Sequence, residues 1–284
     1  MPERPRSIYW RLKGELRVQV IGLGTVGLPT AIHASKFFDV VGYDKNPLVV
    51  KRASERIPVA HSIVEADVYI VAVSTGLTPD GKPDMASIFD VCERISSVRA
   101  DALVSIESTV SVGTCRAAAE KFGLNRLVHC PHRYWSGDPV KYGVVQTRVL
   151  GALNEESLRG AVRFYSKLGV PLHIVSSLEV AEISKLAENA HRFVEIAFAE
   201  SLAMVCGEYG IPFQEVREAC NTLRRPEYNY QVNILEARDG IGGECLPKDI
   251  RYLLSLLHSP LLRGAIDADI LYKAWLRGRK SGLP

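Results

Sequence analysis

One cysteine of six stands in a setting that favours chemistry. Cys245 lies within Gly240-Ile241-Gly242-Gly243-Glu244-Cys245-Leu246-Pro247-Lys248-Asp249. Proline suits the first turn of a helix, so Pro247 read as the first helical residue puts the sulfur just ahead of a helix N-terminus, with Lys248 close by. Both features stabilise a thiolate nucleophile, and the glycines allow backbone and substrate to approach the sulfur. The chemistry that fits is covalent catalysis by a thiol. A loop cysteine that only packs is the plain alternative, and Asp249 alone reads equally as a carboxylate complementing a helix dipole.

A second set is Glu182, Lys185 and Asn189, at i, i+3 and i+7 of a helical stretch and therefore on one face. A cation and an amide donor on one face can hold a developing oxyanion, although such a face is more often simply solvated. His191 and Glu195 form an i, i+4 pair with no third ligand in view, so no metal site is expected.

The third set is Gly22-Leu23-Gly24-Thr25-Val26-Gly27, directly after an apolar run and opening a helical one. Glycines at this spacing permit a tight turn and bring backbone N–H groups against a pyrophosphate at a helix N-terminus. The next apolar run ends at Asp44, 22 residues after Gly22, where a carboxylate grips the ribose 2′-hydroxyl of a dinucleotide. That carboxylate repels a 2′-phosphate and favours NAD, while the neighbouring Lys45 would tolerate one. Glycines serving only a strand-to-helix turn are the competing explanation.

The elements that must position these residues follow from periodicity. Apolar runs at Val18–Ile21, Val40–Tyr43, Val68–Val73, Ala102–Ile106, Leu127–Cys130, Val149–Leu153 and Leu172–Val175 read as strands. Between several of them lie helical stretches at Val26–Phe38, Ala86–Ser96, Thr114–Phe122 and Glu156–Leu168. This alternation predicts an α/β domain with a mostly parallel sheet over residues 1–175. Leu178–Tyr209 then reads as one long helix, with apolar residues at 183, 186, 190, 193, 197, 202 and 205. It opens an all-α domain over residues 176–284, with shorter helices at Gln214–Leu223, Lys248–Leu257 and Ala265–Leu276. A long helix with few partners of its own is expected to bury an apolar face against another subunit, which predicts a homodimer.

Composition excludes several classes. The 284 residues suit about two domains of ~150 residues, and 35 Lys plus Arg against 32 Asp plus Glu leave a net charge of +3, too little for a dedicated nucleic-acid binder. No apolar run approaches ~20 residues, so no membrane span is expected. The first sixteen residues carry Arg4, Arg6, Arg11 and Lys13 without an apolar core, which argues against a secretory signal and for a cytoplasmic location. The six cysteines show no C-x-x-C pair or zinc spacing.

Taken together, the motifs resemble those of the UDP-glucose/GDP-mannose (nucleotide-sugar) dehydrogenases. The resemblance runs over roughly residues 16–260: the Gly22 loop followed by Gly27-Leu28-Pro29, Asp44-x-Asn46, Ala66-Asp67, and Asp80-Gly81-Lys82-Pro83-Asp84. It continues through Ser108-Thr109-Val110 with Gly113-Thr114, Glu182-x-x-Lys185-x-x-x-Asn189, and the stretch around Cys245. It implies an NAD-binding Rossmann domain followed by an all-α, 6-phosphogluconate dehydrogenase-like domain. The implied activity is a UDP-glucose 6-dehydrogenase type of reaction in polysaccharide biosynthesis, a four-electron oxidation of a sugar primary alcohol through a thiohemiacetal and a thioester on Cys245. In that scheme Lys185 and Asn189 stabilise oxyanions, and Asp249 with Thr109 positions or activates water. The cofactor would rest on Gly22, Gly24, Thr25, Val26, Gly27, Asp44 and Lys45, with Val73, Ser74, Thr75, Ser108 and Thr109 at its edge.

Three departures accompany the resemblance. His132 follows Pro131 where the family has a glutamate implicated in acid-base work; Glu107 precedes Ser108-Thr109 where a basic residue is common; and Val73-Ser74-Thr75-Gly76 replaces the usual Thr-Pro segment. Only 35 residues follow Asp249, which reads as a short form without the C-terminal UDP-binding domain. Two other readings stay open. One is a two-electron dehydrogenase of hydroxy acids or sugars. The other is an NAD-binding subunit that needs a separate chain to supply nucleotide binding.

Overall fold

A computed structural model describes residues 16–134 and 137–280; the basic residues 4–13 read above against a secretory signal lie outside them. In chain order the elements are β1 (Arg17–Ile21), α1 (Gly27–Ala34), β2 (Asp39–Tyr43), α2 (Pro47–Ser54), β3 (Val68–Val71), β4 (Gly76–Leu77), β5 (Pro83–Asp84), α3 (Ala86–Arg99), β6 (Leu103–Ile106), α4 (Thr114–Phe122) and β7 (Leu127–His129). A π-helical turn at Val140–Val144 leads to β8 (Arg148–Ala152), α5 (Glu155–Lys167), β9 (Leu172–Ile174), α6 (Leu178–Glu208) and α7 (Phe213–Cys220). Then come β10 (Arg224–Arg225), a 3₁₀ turn at Pro226–Tyr228, β11 (Tyr230–Gln231), α8 (Cys245–Leu256) and α9 (Pro260–Lys280).

Seven strands form one sheet in the order β2-β1-β3-β6-β7-β8-β9, parallel except where β7 meets β8. Strand order reverses between β1 and β3, the switch point at which open α/β sheets bind ligands beyond the strand carboxyl ends. The strands read as continuous apolar runs because both faces are covered. In β3, Val68 and Ile70 join a core with Ala31, Phe164 and Tyr165, while Tyr69 and Val71 join one with Ile88, Val91 and Cys115. Gln19, the polar interruption of β1, is fully buried and satisfied: its amide donates to Ser62 O (3.0 Å) and accepts from Val64 N–H (2.9 Å).

Local chemistry sets the helix starts. Asn154 accepts from Ser157 N–H at 2.9 Å, capping α5, and Asn46 accepts from Leu48 N–H at 3.0 Å with Pro47 opening α2. Such caps contribute about 1 kcal/mol each.

The chain divides into two compact units: residues up to Gly76 with Asp84–Ser184, and Leu77–Pro83 with residues from Lys185 onward. In the second unit α6, α8 and α9 enclose Ala190, Phe193, Ala197, Ile241, Ile250 and Ile266. The apolar stripe expected along α6 is therefore split. Leu186, Ala190, Phe193 and Ala197 are buried, whereas Ile183 and Val205 are exposed and Phe198, off that stripe, is 59% exposed.

Candidate functional site

In the first unit the Gly22 loop leaves β1 at the switch point. Gly22 has φ +89°, donates to Tyr43 O (2.8 Å), and packs so closely on β3 that a Cβ there would lie 2.5 Å from Ala72 O. Only glycine combines that dihedral with that contact. Gly27, buried where α1 begins, would put a Cβ against Gly22 O, whereas nothing lies within 4 Å of a Cβ on Gly24. The loop is thus tight against the sheet and open at Gly24 and the exposed Thr25. Val26 stands at the N-cap, Leu28 N–H turns back to Gly24 O and Thr30 N–H to Val26 O, both at 3.3 Å, and Pro29 has no N–H. The open glycine turn ahead of this helix N-terminus is a place that a pyrophosphate can occupy.

Asp44 follows β2 and ties the end of that strand to the glycine loop: Oδ2 accepts from Leu23 N–H and Oδ1 from Asn46 N–H, both at 2.8 Å. Lys45 is exposed beside it. Two more loops leave the carboxyl ends of β3 and β6 and bind each other. Ser108 Oγ donates to Val73 O (2.7 Å), and Thr75 Oγ1 donates to Thr109 O (2.7 Å), while Ser74 is exposed between them. Residues 73–75 and 108–109 therefore form a single edge, and this set fits a bound dinucleotide.

Behind that edge lies a buried charge cluster. Glu107, at the end of β6, accepts from Tyr165 OH (2.6 Å) and pairs with Arg148 Nη2 at 2.8 Å. Arg148 also donates to Cys130 O, and Ser105 Oγ shares a hydrogen bond with Tyr165 OH at 2.7 Å. His132 Nε2 sits 3.5 Å from Glu107 and 3.0 Å from Thr30 Oγ1 on α1. Two of the departures, Glu107 and His132, are neighbours in one network that reaches the helix of the glycine loop. Thr30, Arg148 and Tyr165 were not singled out from the sequence. Arg148 ahead of the apolar run Val149–Leu153 was the one cue, and a weak one.

In the second unit, Lys185 Nζ lies 3.4 Å from Asn189 Oδ1, and Asn189 Nδ2 donates to Asp249 Oδ2 at 2.5 Å. Asp249 is fully buried, and its other oxygen accepts from Lys248 Nζ, which also lies 4.2 Å from the Tyr252 ring centre. Residues 185, 189, 248 and 249 thus form a continuous polar chain. Cys245 precedes Lys248 and Asp249 by three and four residues on α8, hence on the same face, and it is exposed. Helix α8 begins at Cys245 itself, so Pro247 is the third helical residue and not the first. A missing N–H costs nothing there, because the first four N–H groups of a helix have no intrahelical acceptor.

Glu182 shares the helix face of Lys185 and Asn189 but meets a different neighbour. It is fully buried in the first unit, where its carboxylate accepts from Gly113 N–H and Cys115 N–H at the start of α4. Lys185 and Asn189 come together; Glu182 has a structural task. Among the described residues no group of three or more His, Cys, Asp or Glu is gathered for a metal ion, and no helix is long and apolar enough to cross a membrane.

Residues 52–169 match the model for the NAD binding domain of the UDP-glucose/GDP-mannose dehydrogenase family, and residues 179–266 match the model for its central domain. A UDP-N-acetyl-D-mannosamine dehydrogenase of Pyrococcus horikoshii is 33% identical over 277 residues, covering 84% of this chain and 64% of the relative. Its counterpart in Escherichia coli (strain K12) is 30% identical with the same two coverages. The chain thus spans under two thirds of the length of these curated relatives. Among solved structures, the UDP-D-ManNAc dehydrogenase of P. horikoshii matches with a TM-score of 0.80 at 29% identity, over 94% of this chain and 73% of that one. A 3-hydroxyisobutyrate dehydrogenase of Mycobacterium tuberculosis matches at TM-score 0.68 and 17% identity, over 92% and 93%, a likeness of fold alone.

Proposed function

Because the chain belongs to the UDP-glucose/GDP-mannose dehydrogenase family, we propose that it oxidises the primary alcohol of a nucleotide sugar to a carboxylate, with NAD as acceptor and Cys245 as nucleophile. The observation that carries the proposal is the chain Lys185–Asn189–Asp249–Lys248 laid along the face of α8 that bears Cys245. We assign NAD binding to residues 1–175 and the thiol chemistry to residues 176–284. The relatives at 30–33% identity carry names for N-acetylated sugars, so a UDP-N-acetylhexosamine is the first substrate to test, ahead of UDP-glucose.

NAD, when bound, accepts a hydride at each of two oxidations. In the first, the sugar alcohol loses its hydroxyl proton and a hydride and becomes an aldehyde. The Cys245 sulfur adds to the carbonyl carbon to give a thiohemiacetal, and loss of a second hydride and a proton leaves a thioester. Water then breaks the carbon–sulfur bond, releasing the carboxylate and restoring the thiol. Lys185 supplies the positive charge facing each oxyanion. Asn189 gives one amide N–H to Asp249 and keeps a second for substrate oxygen. Asp249, with both oxygens engaged, orients Asn189 and Lys248. We read Thr109 as a cofactor-edge residue through its link to Thr75, and His132 as a prop for α1 through Thr30. The exposed Phe198 and Val205 of α6, with Tyr209 just beyond its end, support a homodimer through that helix.

The test is stoichiometry with UDP-N-acetylhexosamines and UDP-glucose. Two NADH per sugar are expected, and Cys245→Ser is expected to form no acid. One NADH with accumulating aldehyde or ketone, or undiminished turnover by Cys245→Ser, points to the two-electron alternative. The burial of His132 against Thr30 favours the second alternative, an NAD-binding subunit that turns over only with another polypeptide.

A further inference from the structure

The loop that leads to Cys245 is held by α9. Asp269 Oδ1 accepts from Ile241 N–H (2.8 Å), and Lys273 Nζ donates both to Ile241 O (2.7 Å) and to Asp269 Oδ2 (2.8 Å). Both backbone polar groups of Ile241 therefore go to one i, i+4 pair. One turn along, Tyr272 OH donates to Arg238 O at 2.7 Å. The aliphatic stem of Lys273 fills the space beside Gly240, which has φ +95°; a Cβ there would lie 2.4 Å from Lys273 Cε. Ile241 itself is buried with Phe193, Ile250 and Ile266.

From Ile241 the chain needs only Gly242, Gly243 and Glu244 to reach Cys245, the first residue of α8. Glycines leave such a strap with little stiffness of its own. Its course is set at one end by α8 and at the other by the grip of α9.

Beside this grip lies a carboxylate that the proposed chemistry does not use. Glu200 of α6 is fully buried, and neither of its oxygens has a hydrogen-bond partner among the described residues. The charged and titratable groups that act on it, Asp269 and Lys273, and Tyr272, on which it acts, all come from α9; Asp239 of the loop acts on the same tyrosine. Burial, reinforced by the Asp269 charge, raises its pKa to about 7.

We propose that Asp269 and Lys273 are positioning residues for Cys245, and that Glu200 loosens their hold when it ionises. The inference rests on Cys245 being the nucleophile. While Glu200 is neutral, Lys273 serves Asp269 and the Ile241 carbonyl. Once Glu200 loses its proton, Lys273 meets a second anion and is drawn from that carbonyl, freeing one end of the glycine strap.

The experiment follows backbone hydrogen exchange of residues 238–246 in the whole chain, corrected for intrinsic chemical rates, from about pH 6 to about pH 8.5. Wild-type protection at Ile241 is expected to fall about tenfold across this range, Glu200→Gln to stay flat, Lys273→Met to be low throughout, and Lys273→Arg to recover most of the protection. In turnover, Lys273→Met is expected to lower kcat about tenfold with KM for sugar nucleotide and NAD unchanged. A flat wild-type profile, or a Glu200→Gln slope equal to it, overturns the part given to Glu200. Wild-type protection in Lys273→Met, or a changed KM with kcat kept, overturns the clamp. Exchange needs no turnover, so a chain that binds NAD and oxidises no sugar nucleotide removes the dehydrogenase reading without touching the exchange result.

Discussion

Glu182 of α6 caps α4: its two carboxylate oxygens accept from Gly113 N–H at 2.6 Å and from Cys115 N–H at 2.8 Å. Helix α4 has no side-chain cap of its own, since Gly113 occupies the N-cap position with φ +87°. A carboxylate distant in sequence fills that role and fixes the end of the loop that carries Ser108 and Thr109. Replacing it by alanine leaves one buried and one part-buried donor unsatisfied.

Glu182→Ala should therefore lower unfolding stability by about 2–4 kcal/mol and weaken NAD binding, with Glu182→Gln falling between it and wild type. Urea denaturation and NAD titration check both effects. Unchanged stability in Glu182→Ala would mean that the α4 N-terminus does not depend on this cap.

Asp44 anchors Leu23 N–H, and its place at the end of β2 is where a carboxylate can take the ribose hydroxyls of a dinucleotide. Asp44→Ser should weaken NAD binding by about 10- to 100-fold, the cost of one or two charged hydrogen bonds, and should narrow the preference over NADP. Fluorescence titration with the two reduced cofactors measures the ratio. A preference left intact would separate Asp44 from cofactor selection.

The Glu107–Arg148 pair has essentially no solvent contact, with side-chain exposures of 0% and 1%. Removing one partner strands the other, so Arg148→Met should cost about 3–5 kcal/mol, whereas adding Glu107→Gln should recover part of the loss. Additive single-variant losses in denaturant would show that the two side chains are not coupled.

Glu200 also makes stability depend on pH. Burial raises its pKa from the ordinary glutamate value of 4.5 to about 7, so between these values the folded chain holds a proton that the unfolded chain has released. Stability should fall as pH rises through that window, by an amount on the order of 3 kcal/mol, and Glu200→Gln should remove this component of the slope. Calorimetric unfolding at intervals from pH 4.5 to 7 tests the sign.

All seven sheet strands and the long helix were legible because the strands are short, mostly apolar runs separated by helical stretches and α6 contains no helix breaker before its last turns. The tight turn after β1 was legible for a local reason: Gly22, Gly27 and Asp44 lie within one βαβ unit. Helix α2 was missed because its eight residues are mostly exposed and carry no apolar period, although Asn46-Pro47 is a capping pair. The Glu107 cluster was hidden by separation: Thr30 bonds His132 from 102 residues away, Tyr165 bonds Glu107 from 58, and Arg148 bonds Cys130 from 18. The capping task of Glu182 was not legible because helical spacing says which residues share a face but not which neighbour that face meets.

The reversal of direction between β7 and β8 has an electrostatic consequence. Running antiparallel, β8 starts at the edge of the sheet where β6 and β7 end. Its first residue, Arg148, thereby arrives beside Glu107 and Cys130 O. A parallel strand of the same sequence would deliver that guanidinium to the opposite edge and leave Glu107 without its counter-ion. Strand polarity here acts as a charge-delivery rule: a second substitution can repair a lost partner, but nothing short of re-threading the sheet can replace the direction of β8.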